Sequence, residues 1–185
     1  MLDEVYADLR DRMKKAIENL ETEYKRLRTG RASISLVEGI RVDYYGTPTP
    51  LSQLTTLTIP DPRTILIQPW DTSVVGEIEK AILRSDLGLT PMNDGKVIRI
   101  SIPPLTAERR RELDKLAKKR AEDSKVAIRN IRRDLLEKTK ELKKDKKVSE
   151  DELFRSQEEI QKITDEFIKK ADAVCSAKEK EILET

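Results

Sequence analysis

RTGRAS, residues 28–33, marks the point where the chain changes texture, and its reading decides the fold. Upstream of it, residues 2–28 repeat apolar side chains at helical spacing through Val5, Leu9, Met13, Ala16, Leu20, Tyr24 and Leu27, with charge between them. That pattern predicts one long amphipathic helix, with Gly30 as its terminator. Downstream, residues 31–105 hold most of the prolines and glycines, and the period shortens. VIRISI (97–102) sets Ile98, Ile100 and Ile102 against Val97, Arg99 and Ser101, which is the alternation of a half-buried strand. IRVDYY (40–45), TTLTI (55–59) and TILIQ (64–68) are three more strand candidates, with GTPTP and PDPR as breaks and NDG (93–95) as a turn. Residues 73–86 place Val74, Ile78, Ala81 and Ile82 at helical spacing.

At IPPLT (102–106) the helical rhythm returns. It runs through Leu113, Leu116, Ala117, Ala121, Ser124, Ile128, Ile131, Leu135 and Leu142 to about residue 145, and Pro103 and Pro104 mark its start. A third long helix opens at Ser149, whose partner Glu152 completes an S-x-x-E capping box, and its stripe follows Leu153, Ile160, Ile163, Phe167, Ala171, Val174 and Ile182. One apolar stripe per helix suits a three-helix bundle, in which each covers its stripe against the other two. The expected fold is therefore α+β in two domains. Residues 1–29 plus 106–185 form a long antiparallel three-helix bundle, and residues 31–104 form an inserted small α/β domain, a mixed sheet with one helix. The chain leaves the bundle and re-enters it through two parallel linkers, so Arg28, Thr29, Gly30, Arg31 and Pro103, Pro104, Leu105, Thr106 are candidate hinge residues.

Composition excludes most enzyme classes. The 185 residues contain no histidine, which removes histidine general bases, histidine triads and HExxH metal sites. One cysteine, Cys175, allows neither an internal disulfide nor a cysteine zinc cluster, and its expected role is helix packing. No G-x-x-x-x-G-K loop is present, and the acidic run Glu150, Asp151 and Glu152 belongs in a helix first turn, where it favours the dipole, rather than around a metal. Neither cofactor nor metal is expected. No apolar run is long enough to span a membrane, and MLDEVYADLR is too charged for a signal or transit peptide, so a cytoplasmic location is expected. Tyr44 and Tyr45 should point to opposite faces of a strand, and Trp70 should pack rather than bind.

The net charge of +2 conceals a partition. Residues 106–147 carry 17 basic against 9 acidic residues, whereas residues 148–185 carry 6 against 11. On a wheel of about 100° per residue, Lys118, Lys125, Arg129 and Arg132 fall within about 60° of one another, with Arg133 just beyond Arg129 and Glu122 interrupting. Arginine suits phosphate, because its planar fork donates two hydrogen bonds to one group. Taken alone, such a stripe is more commonly a solvated face with i,i+4 partners. A coiled-coil structural adaptor would explain the helices but leaves the insert without a role, and a hydrolase would need paired carboxylates in a pocket, for which no polar cluster looks arranged.

RLRTGRAS (26–33), VDYYGTPTPLSQL (42–54), AILRSDLGLTP (81–91), IPPLTAERRREL (102–113), VAIRNIRRD (126–134) and DKKVSEDE (145–152), in that order and at those spacings, resemble the bacterial ribosome recycling factors over essentially the whole chain. The resemblance implies a non-enzymatic protein, monomeric and cytoplasmic, that binds the post-termination ribosome between its subunits. Its bundle would lie against large-subunit ribosomal RNA, and with elongation factor G and GTP it would promote dissociation into subunits. It also carries Arg110, Arg129 and Arg132 over as ribosomal RNA contacts, to which the stripe adds Lys118, Lys125 and Arg133.

Overall fold

The structure, a computed structural model, describes residues 1–184. The chain divides into two compact units, Met1–Thr29 with Ala107–Glu184, and Gly30–Thr106. The first unit is built from α1 (Leu2–Arg26), α3 (Ala107–Lys144) and α4 (Glu150–Glu184). At about 1.5 Å per residue these helices are roughly 38, 57 and 53 Å long.

Val5, Leu9, Met13, Ile17, Leu20 and Tyr24 form the buried row of α1. Ile17 takes the place expected for Ala16, which is half-buried on the flank, because the branched side chain fills the seam and the 13, 17, 20, 24 spacing keeps it in line. Helix α1 also ends earlier than expected. Leu27 is already extended, and Gly30 is not its cap, but it does occupy left-handed backbone at φ 81°, where a Cβ would stand 3.1 Å from Leu105 Cγ.

The middle of α3 presents small residues, Ala117, Ala121 and Ser124, which let α1 come close. The Tyr24 hydroxyl donates to the Ala117 carbonyl at 2.6 Å. Burying three hydroxyls of α3 and α4 costs little, because each donates to a carbonyl: Thr139 to Leu136 at 2.7 Å, Ser156 to Leu153 at 2.6 Å and Thr164 to Ile160 at 2.7 Å. Cys175 is buried in the same interior, and burial pushes its thiol above the usual range. Between α3 and α4 the expected capping box forms in both directions, with Ser149 N donating to Glu152 Oε2 at 2.7 Å and Glu152 N to Ser149 Oγ at 3.1 Å.

The second unit contains β1 (Arg41–Tyr44), β2 (Thr47–Pro50), β3 (Thr55–Asp61), β4 (Thr64–Pro69), α2 (Val75–Arg84), β5 (Pro91–Asn93) and β6 (Ile98–Ser101). β1 and β2 form a two-stranded hairpin, and the other strands form a sheet in the order β3-β4-β6-β5. Every pair in both sheets is antiparallel, so the expectation of a mixed sheet is corrected. The crossover through α2 does send β4 and β5 in the same direction, but β6 turns back and inserts between them. Two strands lie where the sequence reads as breaks or turns. β2 is TPTP, whose prolines are tolerated because the hairpin needs no donor from them, and β5 is only three residues long and opens with Pro91. The core of this unit is aliphatic throughout, centred on Ile65, Ile67, Ile78, Ile82, Ile98 and Ile100.

The aromatic expectations divide. Tyr44 packs against that core, whereas Tyr45 is 76% exposed at a hairpin turn. Trp70 does not pack inside: it is 68% exposed, and its indole N–H donates to Thr56 Oγ1 at 2.9 Å. It follows β4 at the position where alternation from Leu66 and Gln68 leads outward, so the strand register decides its side.

Candidate nucleic-acid interface

Helix α3 supplies the basic face because its buried residues, Leu113, Ala117, Ala121, Ile128 and Leu135, lie on one side. The rest of the circumference is charged, with lysine and arginine outnumbering glutamate and aspartate and Val126 exposed among them. The anticipated residues span about 35 Å of α3 from position 110 to 133, and of them Lys125 and Arg132 reach α4. They form a stripe and not a pocket.

Their surroundings differ. Arg132 is half-buried, donates from Nη1 to Gln161 Oε1 at 3.0 Å, and has an enclosed Nε without a hydrogen-bond partner. Lys125 is paired with Asp172 of α4, with its side chain 20% exposed. Arg129 is held by Glu122 at 3.1 Å and Lys118 by Asp114 at 3.0 Å. That hydrogen bond and the Asp114 charge hold the Lys118 ammonium above its ordinary pKa. Arg133 is exposed. Arg110 is half-buried at the apolar edge, again with an enclosed, unpartnered Nε. Two half-buried arginines therefore have an enclosed Nε without a hydrogen-bond partner, while Lys118, Lys125 and Arg129 each face a carboxylate.

Arg111, Lys115 and Lys119 belong with this face and escaped the reading of the sequence. All three are exposed, and none has an ion pair among the described residues. With Arg133 they lie within about 60° of the point opposite the buried row. The signal was available: a search centred opposite Ala117 and Ile128, rather than on the densest arginine cluster, finds them.

The family model "Ribosome recycling factor" matches residues 20–183. The chain belongs to the ribosome recycling factor family. Among similar proteins, the ribosome-recycling factor of Syntrophobacter fumaroxidans is 73% identical over 184 residues, covering 100% of both chains. That of Nitratidesulfovibrio vulgaris is 58% identical over 183 residues, covering 99% of this chain and 98% of the relative. A solution structure of a ribosome recycling factor superposes with a TM-score of 0.75 at 45% identity, covering 100% of this chain and 98% of the other. The Thermus thermophilus recycling factor, in a model with Escherichia coli elongation factor G bound to the post-termination complex, matches with a TM-score of 0.63 at 52% identity and 99% coverage of each chain. Membership of the recycling factor family agrees with a small antiparallel sheet domain inserted into a helical protein. Among the described residues no helix is long and apolar enough to cross a membrane, and no group of side chains is arranged to hold a metal ion.

Proposed function

We propose that this recycling factor binds the post-termination ribosome through the basic face of α3, laid against large-subunit ribosomal RNA at the subunit interface. Working with elongation factor G in the cytoplasm, it promotes dissociation into subunits for a new round of translation. The carrying observation is the outward face of α3, where Arg111, Lys115, Lys119 and Arg133 are exposed with no ion pair among the described residues, beside the half-buried Arg110 and Arg132. Guanidinium groups on such a surface can fork onto phosphates or stack on exposed bases. The factor does no covalent chemistry of its own, acts as a monomer, and leaves GTP hydrolysis to its partner. Its two linkers serve as a hinge, with the left-handed Gly30 on one and the Pro103-Pro104 pair on the other.

The test is sedimentation with purified large subunits across a salt series. A hydrogen bond to a charged group contributes roughly 1.5 to 3 kcal/mol, and every ~1.4 kcal/mol is tenfold in affinity. Arg132→Ala should therefore weaken binding about ten- to a hundredfold. Adding Arg129→Ala should deepen the loss and flatten the salt dependence, because fewer counterions are released from the RNA. Lys169→Ala on the acidic α4 should leave binding unchanged. Unaltered binding of the double variant would make the stripe a solvated face and nothing more.

A further inference from the structure

Four strands stand at the edges of the two sheets of the inserted unit, and three of them carry proline: Pro48 and Pro50 in β2, Pro60 in β3 and Pro91 in β5. Proline at an edge removes donors and discourages pairing with another chain. β1, with the sequence RVDY, has none.

The hairpin register fixes where the β1 main chain points. Tyr45 and Gly46 both have positive φ, 50° and 84°, which is the two-residue I′ turn that closes on a hydrogen-bonded pair, here Tyr44 opposite Thr47. Pairs alternate along an antiparallel ladder, so Val42 and Thr49 also bond, and Leu51 N donates to Ile40 O at 2.8 Å in step with them. Arg41 and Asp43 stand opposite Pro50 and Pro48. Their own N–H and C=O groups are therefore directed away from β2.

That open edge does not face bulk solvent alone. It borders a groove of about 400 Å³ whose second wall is the Glu77, Ala81 and Arg84 side of α2, with Ile40 and Pro48 as apolar lining. Of the charges on it, Glu77 is paired with Lys80 at 3.6 Å and the Asp43 carboxylate caps the hairpin by accepting from Gly46 N at 2.8 Å. Arg41 and Arg84 have no acidic partner among the described residues. At ~3.3 Å per residue the edge is about 13 Å long, enough for three or four residues of an extended chain.

We infer that the groove between β1 and α2 is a docking site for an extended, acidic segment of a protein partner, which adds to β1 as a third antiparallel strand. Main-chain pairing with Arg41 and Asp43 supplies the registry, a branched apolar side chain covers Ile40 and Ala81, and flanking carboxylates meet Arg41 and Arg84. This is strand addition, in which backbone pairing gives affinity and alternate side chains give choice. The site is separate from the basic face of α3 and independent of the RNA reading.

The test uses a capped six-residue peptide of alternating glutamate and valine, titrated into the full-length ¹⁵N-labelled protein. The Arg41 and Asp43 amides should shift on binding and their hydrogen exchange should slow at least tenfold. The matched lysine and valine peptide, and a glutamate and valine peptide N-methylated on its pairing edge, should each bind at least tenfold more weakly. R41E/R84E should reverse the preference between the two charged peptides, and the milder R84A should weaken the acidic one several-fold, both with unchanged circular dichroism. Equal binding of the N-methylated peptide, or shifts confined to residues outside β1 and α2, would overturn the inference. So would self-association through the Arg41 and Asp43 amides at rising protein concentration, since the occupant would then be a second copy.

Discussion

The bundle and the inserted unit solve the same burial problem with different materials. In the bundle the interior mixes leucine, isoleucine and methionine with alanine and hydroxyls that bond to nearby carbonyls, and its helices are tied across the seams by ion pairs such as Arg12 with Asp134 at 2.8 Å and Lys138 with Asp8 at 3.2 Å. In the insert the interior is branched aliphatic almost without exception, and the sheet and α2 share one dense cluster. A long helix pair repeats a modest contact many times, so no single side chain dominates, whereas a small sheet domain concentrates its stability in a few residues. That difference leaves most of the α3 circumference free to vary for binding, while the insert has little interior to spare.

Ile98→Ala should break the comparison most sharply. Ile98 is fully buried in the centre of the sheet, and truncating such a residue costs about 2 to 5 kcal/mol. Thermal denaturation followed by near-ultraviolet circular dichroism and by helical signal should separate into two steps, the insert melting first while the bundle keeps its helices. A single shared transition would mean that the two units do not hold their stability separately.

Tyr24→Phe should cost the bundle less, about 1 kcal/mol, since one hydrogen bond to the Ala117 carbonyl is lost and that carbonyl is left buried. The same residue shapes the alkaline limb. Burial raises the Tyr24 phenol above its ordinary 10.0 and the Cys175 thiol above 9.0. The folded protein therefore keeps protons that the unfolded chain releases, and stability present below about pH 9 is lost as the pH rises further. With no histidine in the chain, stability should be nearly flat from about pH 6 to 8, and Tyr24→Phe should shallow the alkaline decline. Urea titrations at stepped pH would check both.

Asp172→Asn should have the smallest effect. It releases Lys125 from its carboxylate, and exposed pairs are worth about 0.2 to 1 kcal/mol, so large-subunit binding should tighten up to about fivefold while stability hardly moves.

The sequence disclosed the helices because their period of 3.6 survives dense charge: Val5, Leu9 and Met13 lead directly to the buried row. The capping box at Ser149 was equally legible, being a local pattern with a local cause. What stayed hidden depended on partners distant in the chain. TPTP reads as a break until the hairpin shows that its prolines face no ladder bond, and Trp70 reads as core until the register of β4 turns it outward. The basic face was visible as a charge excess, but the partnership of Lys125 with Asp172 and of Arg132 with Gln161 belongs to α4, which a wheel drawn for α3 alone cannot contain.

The interrupted path of the bundle has a consequence for synthesis. Tyr24 must find Ala117 across a separation of 93 residues, and Arg10 must find Glu166 across 156. At ~5 to 20 residues per second, α1 emerges several seconds before either of the helices that cover it, while every strand of the insert and its helix lie between them. The insert can close on its aliphatic centre as soon as Ile102 is free, but the apolar row of α1 stays uncovered until α3 and α4 have followed. The charges that separate Val5, Leu9, Met13 and Ile17 thus keep a nascent helix in solution through the interval when its partners do not yet exist.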